Sequence, residues 1–241
     1  MPLIKSKGNM YPWVTHTHTH LGGECPHKCV YCYVNNPRFG RPKRYQGELR
    51  LIEDEFKVRY GSGKTIFIEH CNDILAITEH DSVGDNFIQR IIKHCNEYSE
   101  NCYVFQSKNP QRFKDFAWPE GSILGTTIET NRPTYGIVSY APDSQVRFVG
   151  LKKLHAERKF VTIEPVLDFD VDILAAWIAD INPEFLNLGA DSKNHGLPEP
   201  TVEKIHQFVA KLKEYGIELR EKHNLERLTQ RRDAKDGIYE Y

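Results

Sequence analysis

Short apolar segments alternate with longer amphipathic ones along most of this sequence, and no other feature constrains the fold as strongly. Six segments rich in β-branched and aromatic residues are predicted as strands: 13–20, 65–69, 102–106, 123–128, 160–163 and 185–188. Segments with apolar residues at helical spacing are predicted as helices: 85–96, one beginning at Pro110, 143–156, 171–179 and 201–215. Strands that alternate with helices favour a parallel sheet with right-handed crossovers, so the predicted class is α/β.

Polar residues follow the last five predicted strands, in the segments 69–73, 106–110, 125–130, 162–165 and 189–193. In barrels built from parallel strands, the loops after the strand C-termini form the site. Asparagine, serine, threonine and the acids also cap helices, so for any one segment capping and a site role are equally expected. Five such segments in register favour a shared site, because buried charges need partners.

Three cysteines, Cys25, Cys29 and Cys32, lie in the loop after the first predicted strand with the spacing C-x3-C-x2-C. Cysteine thiolates are the usual protein ligands of iron–sulfur clusters. Three of them can hold three corners of a [4Fe–4S] cubane, which leaves the fourth iron open to a small molecule. The spacing therefore predicts a cluster with one open coordination position.

Two other interpretations of these cysteines stay open. A structural zinc site needs four ligands, and His20 or His27 could be the fourth. A disulfide framework is less favoured, because six cysteines in 241 residues are sparse and no signal peptide is recognised. His16, His18 and His20 alternate along one predicted strand and so share a face. They either line the site or belong to an ordinary polar strand.

Length and composition predict one domain over residues 1–241, with an arm at 1–11, a barrel core at 12–218 and a basic tail at 219–241. The chain is 27% charged and has no apolar run of the roughly 20 residues that span a bilayer, so a cytoplasmic protein is expected. Since the net charge is −1, an anionic partner would have to be bound by a local patch. The basic loop 38–44 and the tail could supply one, although both are also typical of solvated segments.

The order of these motifs resembles the radical S-adenosylmethionine (SAM) superfamily, whose cluster motif matches Cys25, Cys29 and Cys32 position by position. The sequence is most similar, over residues 13 to about 228, to a family of small phage-associated radical SAM proteins. A more distant resemblance is to spore photoproduct lyase, a DNA-repair radical SAM enzyme that shares the Cys-x-Tyr-Cys pattern. The shared motifs are Cys-x3-Cys-x-Tyr-Cys-Tyr, Ser-Lys-Asn-Pro, Leu-Gly-Thr-Thr-Ile-Glu, Ile-Glu-Pro-Val-Leu and Leu-Gly-Ala-Asp-Ser.

This resemblance implies a partial (β/α)6 TIM-like barrel that holds a [4Fe–4S] cluster with SAM chelated to the open iron. An electron from a donor such as flavodoxin would cleave SAM, and the resulting 5′-deoxyadenosyl radical would abstract hydrogen from a substrate. Six residues would contact SAM: Tyr31 at the adenine, Asn72 or Asp73 at the amino group, Lys108 at the carboxylate, and Thr127 or Glu129 at the ribose or methionine. The sequence departs from the superfamily in one respect, because Glu-His-Cys-Asn-Asp at 69–73 replaces the expected Gly-Gly-Glu.

Three further residues are predicted to act on the substrate. Glu164 and Asp191 follow later strands, and Cys71 either donates hydrogen to a radical or is a small buried thiol. Nucleic acid or a nucleotide is the leading substrate hypothesis, from the basic segments and the likeness to the lyase; a peptide or protein comes second. The competing function is a non-catalytic, zinc-binding nucleic-acid adaptor that uses the three cysteines and a histidine.

Overall fold

A computed structural model describes residues 3–7, 10–35, 42–76, 82–193 and 195–229. Seven strands run parallel in one sheet: β2 (His16–His18), β5 (Thr65–Ile68), β6 (Cys102–Gln106), β7 (Ile123–Thr127), β8 (Arg158–Ile163), β9 (Phe185–Leu188) and β10 (Leu219–Glu221). The strand β1 (Ile4–Lys5) joins the β2 edge antiparallel. A separate two-stranded pair joins β3 (Leu21–Gly22) to β4 (Arg50–Leu51). In the part of the chain that is described, the large sheet stays open between β1 and β10.

Helices cover the outer face of this sheet: α1 (Ser82–Asn96), α2 (Ser144–Lys153), α3 (Val171–Ile181), α4 (Val202–Glu214) and the short α5 (Glu226–Thr229). Alternate strand residues divide the core into two layers, because successive side chains of a strand point to opposite faces. In β5, Ile66 and Ile68 pack in a cluster with α1, whereas Phe67 packs inside the barrel with Tyr11 and Phe160. The inner cluster fills the floor of the barrel, so space for a ligand is left only above it.

The six predicted strands are all present, and 102–106 and 185–188 have the predicted bounds. The structure adds detail to three other predictions. The helix from Pro110 is a 3-10 helix, Pro110–Asp115. The arm pairs with the sheet through Ile4–Lys5, and the predicted tail contributes β10 as a seventh parallel strand. The strands in the arm and in the tail were missed for one reason. Strands of two or three residues are too short for their alternation of apolar and polar side chains to be recognised.

No helix in the described ranges is long and apolar enough to cross a lipid bilayer.

The packing of the tail gives the first testable prediction. Leu225 follows β10 and is 1% exposed in the cluster beneath α3 and α4. Leu225→Ala should lower the free energy of unfolding by about 2–5 kcal/mol, through lost burial and the cavity that remains. Urea denaturation measures this loss, and the neighbouring exposed residue supplies the control, Glu226→Ala. Equal stabilities of the two variants would contradict the integration of this segment into the core.

Candidate active site

A cavity of about 640 Å³ opens at the carboxyl-terminal edge of the parallel sheet. All seven parallel strands contribute residues to it through the loops that follow them. The predicted site residues that line it are Cys25, Cys29, Tyr31, Cys32, Cys71, Asn72, Asp73, Lys108, Thr127, Glu164 and Asp191. Of the predicted set, only Glu129 does not line the cavity. The structure thus brings these residues together, while their individual roles stay predictions.

The side chains of the cysteine loop point either into the cavity or into solvent. The side chains of Cys25, Cys29 and Cys32 line the cavity, whereas Lys28 and Val30 between them are exposed. The loop begins at Gly23, whose φ of +90° favours glycine, and a Cβ there would lie 2.1 Å from the Glu48 carbonyl oxygen. Any larger residue would push the loop away from this neighbouring segment.

The three thiols of this loop are donors that could hold a metal ion or a cluster. Burial raises the pKa of Cys25 to about 12 and also raises that of Cys29. These thiols are therefore protonated until a cation replaces the protons. Among the described residues, no three His, Cys, Asp or Glu side chains are arranged to hold one metal ion. Cubane ligands bind different irons and so need not converge on one point.

The two histidines considered as a fourth zinc ligand are already engaged. His20 is fully buried, with its ring nitrogens 2.8 Å from Glu69 Oε1 and 2.8 Å from His94 Nδ1. His27 Nε2 lies 3.0 Å from Asp73 Oδ2. A tetrahedral site on either histidine would require breaking these contacts.

Asp73 connects three loops around the cavity. Its carboxylate accepts hydrogen bonds from the His27 ring (3.0 Å), the Ser107 hydroxyl (2.6 Å), and the backbone N–H groups of Leu75 (2.9 Å) and Lys108 (2.7 Å). Burial alone would raise the pKa of Asp73, but His27 and the other donors lower it. The carboxylate is therefore ionised and holds the cysteine loop against the loops after β5 and β6.

Glu129 lies behind the cavity wall and holds two residues that form it. Its Oε1 accepts hydrogen bonds from Lys108 Nζ (2.6 Å) and from the Tyr31 hydroxyl, while Oε2 lies 2.8 Å from Arg147 Nη1. Glu129 and Arg147 are both 0% exposed. Burial would raise the pKa of Glu129, but the charges of Arg147 and Lys108 lower it to about 2. The structure thus makes Glu129 a support for Lys108 and Tyr31.

Cys71 presents its sulfur to the cavity within a small polar group. The Tyr33 hydroxyl donates to the His70 carbonyl at 2.6 Å and lies 3.4 Å from Cys71 Sγ, and His70 Nε2 lies 3.1 Å from the same sulfur. His70 is fixed in turn by Thr19, 3.0 Å from Nδ1. Cys71 is only partly buried, which argues against the inert core thiol considered above.

The far wall contains Tyr11, a residue that the sequence analysis placed in the arm. The Tyr11 hydroxyl donates to Gln106 Oε1 at 2.7 Å and lies 2.7 Å from Thr162 Oγ1. Gln106 then donates to Thr127 Oγ1 at 2.8 Å. This chain of hydrogen bonds sets the rotamer of Thr127, the predicted ribose or methionine contact.

The predicted substrate residues Glu164 and Asp191 are each paired with a nitrogen-bearing side chain. Lys222 Nζ lies 2.6 Å from Glu164 Oε2, and Asn224 donates to Glu164 Oε1 at 2.7 Å. His195 Nδ1 lies 2.7 Å from Asp191 Oδ1. Lys222 was missed because it follows the seventh strand. The apolar alternation of Ile217 and Leu219 after the 201–215 helix was the signal for that strand.

His18 and His20 do not line the cavity. His18, the last residue of β2, and His20, two residues beyond it, are both buried, in ring contact with Tyr60 or with His94 of α1. His16 is partly exposed and lies 2.9 Å from Thr15 Oγ1. His18 and His20 therefore lie on the same side of the chain, as the alternation predicted, but that side faces the helix layer and not the cavity.

His20 and Glu69 are joined by several contacts at the edge of the cavity. The Val58 carbonyl can only accept, so His94 Nε2, 3.0 Å away, donates to it. His20 Nε2 lies 2.8 Å from His94 Nδ1 and 3.1 Å from the Tyr60 hydroxyl. The backbone N–H groups of His20 and Leu21 donate to the Glu69 carboxyl group, but burial raises the pKa of Glu69 to about 7.

The basic segments are largely paired. In the predicted basic loop, 38–41 lie outside the described residues, and Arg44 forms an ion pair with Glu55 and donates to the Thr19 carbonyl. In the tail, Arg220 pairs with Glu218 and Arg227 with Glu199. These three arginines therefore neutralise acids of the same chain; residues 230–241 lie outside the described part.

No protein-family model matches the sequence, and no curated protein matches it either. Similar solved structures were found. A double mutant of spore photoproduct lyase with bound AdoMet and dinucleoside spore photoproduct aligns with a TM-score of 0.51 and 12% identity, over 86% of this chain and 63% of that chain. A single mutant of the lyase aligns with a TM-score of 0.54 and 13% identity, over 87% and 66%. A radical SAM methyltransferase from Sphaerobacter thermophilus aligns at 0.48 and 12% identity, over 88% and 67%.

At these identities the likeness to the lyase concerns the fold, which is the partial TIM-like barrel of radical SAM proteins. The chain spans about 63% of the length of the first of these lyase structures. The methyltransferase alignment is too weak to carry an argument.

The buried histidines predict that acid destabilises the fold. Burial first, and then the neighbouring histidines, lower the pKa of His18 to about 2 and that of His20 to about 3. Histidines of the unfolded chain titrate near 6.5, so stability should fall as the pH drops from about 6.5 toward 3. Each histidine contributes up to about 1.4 kcal/mol per pH unit. Glu69 opposes this, because its contribution is lost as the pH rises from about 4.5 to about 7.

The free energy of unfolding in urea, measured between pH 4.5 and 7, shows whether the contribution of the histidines or that of Glu69 is larger. His18→Asn should make the dependence on pH shallower. The exposed His206 supplies the control, His206→Asn, which should leave it unchanged. An unaltered slope in the His18 variant would show that this histidine is protonated in the folded protein.

Proposed function

We propose that this protein is a radical SAM enzyme that abstracts hydrogen from a substrate, with nucleic acid or a nucleotide as the favoured substrate class. One observation carries the proposal. The three thiols of the C-x3-C-x2-C loop share a cavity with eight further predicted site residues, in a fold similar to that of spore photoproduct lyase. The resemblance to phage-associated proteins rests on the sequence motifs alone.

Cys25, Cys29 and Cys32 would hold a [4Fe–4S] cluster. With SAM bound to its open iron, the cluster would supply one electron to split the sulfonium into methionine and a 5′-deoxyadenosyl radical. The protein would fix where the thiols that hold the cluster lie. Asp73 and His27 fix the loop that carries the thiols, so the donor set is preorganised.

Lys108 is placed to bind an anionic group such as the carboxylate of SAM. Its ammonium group lines the cavity and is paired with Glu129, which is itself neutralised by Arg147 from behind. Arg147 would remain paired with Glu129 when Lys108 contacts a ligand. The buried Glu129 carboxylate would therefore keep a partner of opposite charge. Tyr31 lies over Lys108, with Nζ 5.1 Å from the ring centroid, and adds a flat surface beside the same position.

Cys71 is suited to return a hydrogen atom to a carbon radical. Its thiol reaches the cavity, and Tyr33 and His70 fix the direction of the sulfur. The hydrogen removed from the substrate would leave with 5′-deoxyadenosine, and the S–H bond of Cys71 would supply the hydrogen that the product gains. The resulting Cys71 thiyl radical would return to the thiol by taking up one electron from the electron-donor protein and one proton from solvent. Glu164 and Asp191, which also line the cavity, would contact the substrate together with the side chains paired to them.

Two lysines at the cavity support an anionic substrate. Lys7 and Lys193 line it, are exposed, and make no ion pair among the described residues. Phosphate groups are bound by such ammonium groups. The lyase structures contain a dinucleoside photoproduct in the same fold, which favours a nucleotide-like substrate over a peptide here.

The zinc-adaptor alternative has no observation in its favour, because His20 and His27 are occupied by Glu69 and Asp73.

Replacing Cys29 tests the cluster. Anaerobically reconstituted wild-type protein should be brown, with broad absorption near about 400 nm from thiolate-bound iron. With dithionite and SAM it should release 5′-deoxyadenosine. Cys29→Ala should lose both the absorption and the product, whereas Cys102→Ala, which changes a thiol outside the cavity, should keep them. A colourless protein that binds zinc would refute the enzyme proposal.

Replacing Cys71 tests the hydrogen donor. Dinucleoside spore photoproduct serves as the probe substrate in D2O, where the thiol carries deuterium. The wild-type product should gain one solvent deuterium, measured by mass spectrometry. Cys71→Ala should still cleave SAM but yield product without that deuterium, and Cys102→Ala should behave as wild type. Solvent deuterium in the product of the Cys71 variant would assign the donation to another group.

A further inference from the structure

Four large apolar side chains are exposed on the cysteine loop and on the neighbouring loop 134–141, which is hydrogen-bonded to it. They are Val30, Tyr135, Ile137 and Tyr140, which are 51%, 60%, 71% and 59% exposed. Single exposed apolar residues are ordinary, but a contiguous group marks an interaction surface, and tyrosine is enriched at interfaces. We call these four residues the cysteine-loop patch.

Backbone contacts make the patch continuous. The Val30 N–H donates to the Val138 carbonyl at 3.0 Å, and the Tyr140 N–H donates to the His27 carbonyl at 2.8 Å. The rings of Tyr135 and Tyr140 meet edge to face, with centroids 6.2 Å apart. The loop 134–141 is thus tied to the cysteine loop on both sides of Cys29.

The patch is also held in a fixed shape. Asp143 accepts hydrogen bonds from the backbone N–H groups of Thr134 (2.6 Å) and Tyr135 (2.8 Å). Val138, between the exposed residues, is buried and donates its N–H to the Thr134 carbonyl at 2.9 Å. A preformed apolar surface loses little conformational entropy when a partner covers it.

Its position indicates the partner. Val30 lies between Cys29 and Tyr31, whose side chains line the cavity, so a protein seated on the patch is separated from the thiols by one layer of backbone. The cavity itself must admit SAM and substrate. The outside of the cysteine loop offers an approach for an electron that does not compete with them.

We propose that the cysteine-loop patch docks a one-electron donor protein with an acidic rim around its exposed redox cofactor, as a flavodoxin has. The inference rests on the proposed function, since the cluster needs an electron that none of these side chains supplies. One electron would leave the reduced cofactor of the donor and enter the cluster. Lys28, exposed beside Val30 and without an ion pair in the described ranges, supplies the charge complementary to an acidic rim.

Charge reversal on the patch tests this docking. Ile137→Glu and Lys28→Glu are compared with Ile173→Glu and Lys213→Glu, which change exposed residues of α3 and α4. Binding of purified flavodoxin is measured by calorimetry at low and high salt, on protein with and without its reconstituted cluster. Cluster reduction is then followed by loss of visible absorption, with either reduced flavodoxin or dithionite as the reductant.

Both patch variants should bind flavodoxin about tenfold or more weakly, as expected for loss of about 1.4 kcal/mol at an interface. They should also be reduced correspondingly more slowly by flavodoxin, and at the wild-type rate by dithionite. The control variants should match wild type. High salt should weaken binding of wild type more than that of Lys28→Glu.

Three results would overturn the docking proposal. Unchanged flavodoxin binding by the patch variants would show that the donor binds elsewhere. Loss of single-stranded oligonucleotide binding alone would assign the patch to nucleic acid. A wild-type dimer that Ile137→Glu converts to a monomer would assign it to a second copy of the chain. Absence of 5′-deoxyadenosine with dithionite would instead refute the proposed function, because that assay needs no donor protein.

Discussion

The Asp73 carboxylate, with its four hydrogen-bond donors, is the interaction on which the geometry of the cavity depends. It joins the cysteine loop, through His27, to the loops after β5 and β6. A buried carboxylate is costly unless it is fully hydrogen-bonded, and here the protein supplies those bonds from three separate segments. The loops are therefore fixed relative to one another before any ligand binds. The same bonds explain why Asp73, although it lines the cavity, has little capacity left for direct contact with SAM.

Charge in the cavity is balanced in local pairs. Glu129 is matched by Lys108 and Arg147, Glu164 by Lys222, and the pairs lie on different walls. Such pairs are weak evidence for stability, because desolvation offsets the Coulomb attraction. The main effect of these ion pairs is to fix the orientation of the charged side chains that form them. A ligand with a carboxylate and a cationic sulfur would meet preorganised groups of both signs, which is the arrangement expected of a site that binds a zwitterion.

The sequence predicted the cavity residues well because strand-end positions in a parallel sheet are fixed by topology. Once six strands were recognised, the polar residues after them had to share one edge. Tyr11 and Lys222 were missed since they depend on two short strands, β1 and β10, whose pairing is a tertiary property. The direction of His18 and His20 was also inaccessible, because alternation shows that two side chains share a face and leaves open which layer that face meets.

The sequence by itself determined the alternation of strands and helices, the motif of three thiols and the polar groups that follow the strands, since each follows from local spacing and period. Only the tertiary structure decided that the buried Glu129 pairs with Lys108, and that the Asp73 carboxylate accepts four hydrogen bonds. It also decided that apolar side chains are exposed together on the cysteine loop and on the loop 134–141. Those properties arise between segments far apart in the chain. Long-range burial and charge pairing, which no local pattern encodes, set them.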